Sequence, residues 1–239
     1  MMKQKICLIT GASRGLGLEL ASKYKSSGYF VVGLSTQKPN MEIMDIFDDY
    51  VLCDLSSDSS IDSFICYIEK KYQSIDILIH NAAVQNHYSI LDTAQYKNLL
   101  LNEFVVNFLA PVKITSALLP MLMQKPSKII AISSLLQLGP KKSAPGYCSS
   151  KAALSNWVAN LRVQLNLTDI KVVEVVPGLI KTKMTKNASE KGVEPSLLAE
   201  FIFRNMDKEM VILPGARLAW FLAGFAPGLI RKILLKGED

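Results

Sequence analysis

Seven short apolar runs punctuate the chain: KICLIT (5–10), YFVVGL (29–34), YVLC (50–53), IDILIH (75–80), KIIAIS (128–133), KVVEVV (171–176) and EMVIL (209–213). Most are nearly continuous in Val, Ile and Leu rather than alternating with polar residues. That is the pattern of strands covered on both faces. Between the runs, apolar residues recur at helical spacing over about 15–28, 59–73, 92–123, 146–166 and 185–206. Strands alternating with helices build βαβ units, a parallel sheet and right-handed crossovers. The expected fold is therefore α/β, a doubly wound parallel sheet of about seven strands with helices on both faces. No linker, low-complexity tract or repeat interrupts the pattern, so residues 1–239 read as one domain.

Two stretches depart from the alternation. Residues 37–49 are the least regular and read as a loop with a short helix. After the last run the chain continues PGARLAWFLAGFAPGLIRKILLKGED, and residues 218–230 form its longest apolar stretch. Thirteen residues broken by Pro227 are too few to cross a bilayer as a helix. Residues 214–236 are expected to form an apolar helical extension in two short pieces, flanked by Arg217, Arg231, Lys232 and Lys236. The extension either covers a substrate pocket or a dimer interface, or lies on a membrane surface. Either role suits a greasy substrate.

Composition narrows the classes. The chain is 49% apolar, enough for a sizeable core. Its net charge of +6 is mildly basic, but the lysines are scattered and nothing points to nucleic acid. The same balance suits an anionic cofactor or an acidic membrane. Cys7, Cys53, Cys66 and Cys148 are far apart and have no metal-like spacing. They read as reduced thiols, which fits a cytoplasmic protein, in solution or peripheral at a membrane. His80 and His87 lack a second ligand at a sensible spacing, so no metal is assigned. The N-terminal MMKQKICLITG is too short an apolar stretch for a signal peptide.

The first run leads into TGASRGLG, Thr10 to Gly17. Gly11, Gly15 and Gly17 open a helix directly after a buried strand. Glycine lets backbone approach a pyrophosphate, and the helix N-terminus offers free N–H groups and a positive dipole end. An NAD site usually places an acid near the end of the second strand, to accept from the ribose 2′-hydroxyl. That stretch here reads GLSTQK, Gly33 to Lys38, with no acid. Arg14, Ser35 and Thr36, with Lys38 beside them, suit a 2′-phosphate instead. NADP(H) is the expected cofactor, with NAD(H) as the alternative. Further on, Tyr147 and Lys151 stand one helical turn apart, so they share one face.

Several separated motifs, in order and with consistent gaps, carry a resemblance to a family. They are TGASRGLG (10–17), CDL (53–55), HNAA (80–83), Asn107 in VVNFLAP, ISS (132–134), YCSSK (147–151) and PGLIKTKM (177–184). The chain resembles the short-chain dehydrogenase/reductases, in the single-domain branch, over roughly residues 4–184. The resemblance implies a Rossmann-type fold and a nicotinamide cofactor. It identifies Asn107, Ser134, Tyr147 and Lys151 as catalytic and leaves Ser133 structural. It places Gly11, Ser13, Arg14, Gly15, Leu16 and Gly17 at the cofactor, together with Tyr147 and Lys151. Asp54 and Leu55 should meet adenine, and Asn81, Ala82 and Ala83 should back the adenosine ribose. Ile180 and Thr182, after Pro177 and Gly178, should hold the carboxamide. One departure stands out: the usual Asn-Asn-Ala-Gly reads His80-Asn81-Ala82-Ala83. Ala83 adds a methyl near the cofactor, and His80 reads as a structural histidine.

The resemblance implies hydride transfer between the cofactor and a carbonyl or alcohol carbon. A free tyrosine has a pKa near 10, and a nearby ammonium should lower it. Tyr147 would then exchange the proton, with Lys151 tuning it and binding ribose. Ser134 would hydrogen-bond the substrate oxygen, and Asn107 would hold a water linking Lys151 to solvent. The expected partner is a small lipophilic carbonyl or alcohol. A homodimer through the helices 92–123 and 146–166 is expected, with a tetramer as the alternative. Two rival readings remain. One is a non-catalytic NADP(H) sensor or membrane-surface interaction protein. The other is a nucleotide-sugar epimerase or dehydratase, which usually needs a larger carboxyl-terminal domain than 239 residues allow.

Overall fold

The structure, a computed structural model, describes residues 4–91, 93–182, 192–226 and 228. Its seven strands are β1 (Ile6–Thr10), β2 (Phe30–Ser35), β3 (Asp49–Leu52), β4 (Ile77–His80), β5 (Ser127–Ile132), β6 (Ile170–Val176) and β7 (Met210–Ile212). They form one parallel sheet in the order β3-β2-β1-β4-β5-β6-β7. The helices are α1 (Gly15–Ser26), α2 (Met41–Met44), α3 (Asp58–Lys71), α4 (Thr93–Phe104), α5 (Ala110–Leu122), α6 (Pro145–Gln164), α7 (Pro195–Asn205) and α8 (Pro214–Phe225). This is the doubly wound α/β fold that the apolar runs imply, of the Rossmann type that the resemblance implies, and each strand lies within two residues of its run.

Successive strand residues feed opposite cores, as the period of a strand requires. Leu8, Leu78, Ile129 and Val172 pack beneath Phe64, Ile114, Leu118 and Val158, on the face covered by α3, α5 and α6. Cys7, Ile9, Ile79, Ile130 and Val173 pack against Leu20, Tyr24, Leu198 and Ile202, on the face covered by α1 and α7. Both faces are thus buried, which is why the runs show no polar alternation. The strand order reverses between β1 and β4. Their carboxyl ends open the crevice where sheets of this type bind ligands.

Three elements differ from the sequence pattern. The helix expected over 92–123 contains a π-turn at Val105–Leu109 between α4 and α5. The extra residue of a π-turn re-aims side chains, and this one carries Asn107. The stretch from Ala94 to Leu122 is long and apolar enough to cross a membrane. Here Ala110, Ile114, Leu118 and Leu122 lie buried in the sheet core, so it serves as a core helix. The helix expected over 185–206 starts only at Pro195, which takes the first helical position, where its missing N–H has no cost. Val193, just before it, bridges to Ile180 as a short strand pair. Residues 185–191 lie outside the described residues.

The carboxyl extension begins as α8, which ends at Phe225, ahead of Pro227. Ala216 is buried at its start, while Leu218, Phe221 and Phe225 are 69%, 63% and 78% exposed. The second piece of the expected extension lies outside the described residues.

Candidate active site

The glycine turn is built onto the end of β2. The N–H groups of Gly11 and Ala12 both donate to Leu34 O, at 2.7 and 3.1 Å. Gly11 has a φ of +67°, in the left-handed region. A Cβ on Gly17 would lie 2.2 Å from Gly11 O, so only glycine lets the helix start close against the turn. From the next strand, Asn81 braces this arrangement. Its Nδ2 donates to Thr10 O and Gly11 O at 3.0 and 3.1 Å. Thr10 Oγ1 in turn accepts from the N–H groups of Asn81 and Ala82, both at 3.0 Å. Arg14, the N-cap of α1, makes no side-chain capping bond. The N–H groups of its first turn therefore face the crevice without intrahelical partners, the arrangement that suits a phosphate.

The other predicted cofactor residues frame the same edge. Arg14, at the start of α1, is exposed, as are Thr36 and Lys38 beyond β2. Ser35 is different. Its hydroxyl lies 2.6 Å from Gln37 O and 2.7 Å from Tyr50 Oη, so its one proton is already engaged. Ser13 also bonds to Tyr50. Asp54 is exposed, and its carboxyl accepts from Ser56 N and Oγ. Leu55 is buried in the core. At the far end, Pro177 O accepts from Leu135 N at 3.0 Å. Gly178 sits beside Ala216 of α8, and Thr182 faces Gly15, 3.5 Å from where its Cβ would stand. Ile180 packs at the margin of the core shared with α1 and α7. Ala83 raises no strain, because no non-glycine among the described residues has a positive φ.

Ser134, Tyr147, Lys151 and Asn107 converge beyond the ends of β4 and β5. Ser134 follows β5, bonds Tyr147, and caps the 3-10 turn Leu135–Leu138 by accepting from Leu136 N. Lys151 is 2% exposed, and its Nζ donates to Ile132 O at 2.7 Å, the last carbonyl of β5. That ammonium lies 5.7 Å from the centre of the Tyr147 ring. Ser133 is structural, donating to Val175 O at 3.0 Å.

The electrostatics differ from the expectation at one point. Burial pushes the Tyr147 phenol up to about 12, and the bond from Ser134 is the group that pulls it back. Lys151 itself is held down to about 8 by burial. Burial is thus the first cause of both shifts, and it favours the neutral form of each group. His80 is buried and pushed down to about 3, first by burial and then by Lys151. It is neutral at pH 7. Its Nε2 pairs with Thr115 Oγ1 at 2.7 Å, and its Nδ1 has no partner among the described residues. The structural reading of His80 fits this placement.

Asn107 does something the motif does not reveal. Its Oδ1 accepts from Val84 N at 2.8 Å, and its Nδ2 donates to Val84 O at 2.9 Å and Ser150 Oγ at 3.0 Å. Both amide hydrogens are engaged with protein. Its side chain therefore pins the loop after β4 onto α6. Sequence reasoning also missed Glu103, wholly buried in the last turn of α4. Its oxygens accept from Asn86 N and Tyr88 Oη at 2.7 and 2.6 Å. The available signal was a lone acid inside the apolar stretch LLLNEFVVNFLAP.

The geometry meets its relatives here. The family model described as short chain dehydrogenase matches residues 5–192. A dehydrogenase/reductase SDR family protein 7-like of Drosophila melanogaster is 30% identical over 264 residues, covering 97% of this chain and 80% of that protein. The uncharacterized oxidoreductase YbbO of Escherichia coli K12 is 33% identical over 205 residues, covering 83% and 76%. Among solved structures, a short chain dehydrogenase from Burkholderia cenocepacia in complex with NADP superposes with a TM-score of 0.83 at 20% identity, covering 98% of each chain. With the family match running from the first strand through the loop after β6, the chain belongs to the short chain dehydrogenase family of oxidoreductases.

Proposed function

We propose that this protein is an NADP(H)-dependent reductase of lipophilic carbonyl compounds, or the dehydrogenase of the matching alcohols. The observation that carries the reading is the buried cluster of Ser134, Tyr147 and Lys151 at the sheet edge, beside an uncapped helix N-terminus. A coenzyme fits the residues present. The close approach of Gly17 to Gly11 O leaves backbone N–H groups open to a pyrophosphate. Exposed Arg14, Thr36 and Lys38, with no acid between Gly33 and Lys38, suit a 2′-phosphate. The NADP complex of a protein with the same fold agrees with that choice.

The bound nicotinamide supplies or accepts the hydride. The protein then has to manage a proton and a developing charge. Tyr147 Oη gives the proton to the substrate oxygen during reduction and takes it back in the reverse direction. Ser134 Oγ hydrogen-bonds the same oxygen and stabilises charge that grows there. Lys151, fixed by Ile132 O through one of its three hydrogens, would have the others free to hold a coenzyme ribose and would favour tyrosinate when Tyr147 has given up its proton. Asn107 fixes the loop that faces the substrate.

The lipophilic part of the reading rests on the apolar residues around the exit from the crevice. Leu179 and Val193 are exposed on the segment between β6 and α7, Leu197 in the first turn of α7, and Leu218 and Phe221 on α8. The same stripe, with basic residues flanking it, supports peripheral contact with an anionic membrane. A homodimer through α4, α5 and α6 completes the reading. The test is NADPH oxidation against carbonyl compounds graded from short and polar to long and apolar. Rates rising with apolar size bear the reading out. Turnover confined to small polar carbonyls would overturn its lipophilic part.

A further inference from the structure

A wholly buried carboxyl with no ion-pair partner among the described residues needs an explanation, because burying such a group is costly unless it is well partnered. Glu103 has three features that explain it. Its Oε1 accepts from Asn86 N at 2.7 Å, and its Oε2 accepts from Tyr88 Oη at 2.6 Å. Tyr88 Oη in turn accepts from Gly146 N at 3.1 Å. Gly146 is the second residue of α6 and the neighbour of Tyr147. The N-terminus of α6 therefore points its positive dipole end at the buried acid.

The packing leaves no slack. A Cβ on Gly146 would stand 2.2 Å from Tyr88 Oη and 2.3 Å from Glu103 Oε2. Glycine is required there by close approach. Tyr88 is itself buried, and its N–H donates to Ser143 O at 3.0 Å, so the loop after β4 is tied to the approach to α6 at two points. Asn107, one helical turn beyond Glu103, ties the same loop at Val84.

We propose that Glu103, acting through Tyr88 and Gly146, is a positioning residue that sets the placement of Tyr147 against the substrate loop 84–88. This rests on the functional reading above for the identity of the reaction. It goes beyond that reading by assigning a role to an acid that touches neither substrate nor coenzyme. Two readouts separate this role from a general contribution to stability. One is the division of an effect between kcat and KM. The other is the coupling between the two links of the chain, since residues acting through one network are non-additive.

The experiment compares the parent protein with Tyr88→Phe, Glu103→Gln and the double variant. Tyr88→Phe removes one hydroxyl and keeps the ring, so it is the variant that tests the idea if Glu103→Gln does not fold. Carbonyl reduction is measured with NADPH varied at a fixed, saturating carbonyl concentration, and amide exchange is followed in the segment 143–150. Tyr88→Phe is expected to lower kcat at least tenfold with the KM for NADPH within twofold, and to speed exchange at residues 146–148 by a similar factor. The double variant is expected to be no worse than the weaker single variant. An unchanged kcat, unchanged exchange, or multiplied losses in the double variant would overturn the proposal. If the parent protein reduced no carbonyl, the functional reading would fall, and exchange at Gly146 would still decide whether the tie exists.

Discussion

Lys151 donates its ammonium to the carbonyl oxygen of Ile132, 2.7 Å away, at the very end of β5. One contact thus fixes a charge on α6 relative to the strand that leads into Ser134. The position of a reactive group is set by the sheet edge and not by a loop, which is the more rigid arrangement. Lys151→Met keeps the stem and removes the charge, and should lower turnover by more than a hundredfold.

The pH dependence follows from the same burial. Lys151 is held down to about 8, so it is charged at pH 7 and loses its proton as pH rises through that value. Tyr147, pushed up to about 12, keeps its proton throughout that range. The kcat/KM for NADPH, which reports groups of the free enzyme, should therefore be flat near neutrality and fall above about pH 8. A profile that stays level to pH 9.5, measured with about 10 mM buffer at constant ionic strength, would contradict the assignment to Lys151.

Asn107 holds Val84 by both backbone groups and reaches Ser150 as well. Asn107→Ala leaves a part-buried N–H and carbonyl of Val84 without partners. The expected loss is about 3 kcal/mol of stability, read by urea titration. A loss below about 0.5 kcal/mol would mean that water replaces the amide without penalty.

His80 gives a stability prediction with a defined sign. Its folded pKa is depressed to about 3, far below that of an unfolded histidine. The unfolded chain therefore binds a proton that the folded chain refuses. Stability is full above about pH 6.5 and is lost as pH falls from there toward the folded value. Between pH 7 and pH 5 this costs about 2 kcal/mol. His80→Asn removes that proton and should flatten the dependence across this interval. Equal slopes for both proteins in denaturant titrations would show that other groups carry it.

Arg14→Ala tests the coenzyme choice. Removal of the guanidinium should weaken NADPH about tenfold or more and leave NADH nearly unchanged, since only NADPH carries the 2′-phosphate. Binding followed by nicotinamide fluorescence measures both. Equal weakening of the two would remove the phosphate role from Arg14.

Much of this was legible in the sequence because the signals are local. KICLIT followed by TGASRGLG announces a buried strand, a tight turn and a helix start, and each needs only neighbours in the chain. Tyr147 and Lys151 share a helix face, so their closeness follows from spacing alone. The π-turn at Val105–Leu109 was hidden, because an extra residue within a helix leaves no mark on apolar periodicity. The start of α7 was placed too early although Pro195 marks it, since proline favours the first helical position. The role of Asn107 and the tie from Glu103 to Gly146 span distant segments, joined only when the sheet brings α4 and α6 together. Ser35 suited a phosphate by type, but its proton is engaged by Gln37 and Tyr50, and only the folded loop reveals that.

The most direct test is NADPH-dependent reduction of a long apolar ketone by the parent protein and by Tyr147→Phe, with NADPH binding measured in both. The account predicts turnover in the parent, at least a thousandfold loss in the variant, and NADPH affinity within about threefold. A variant that keeps a tenth of the parental rate would contradict the assignment of Tyr147 as the proton donor.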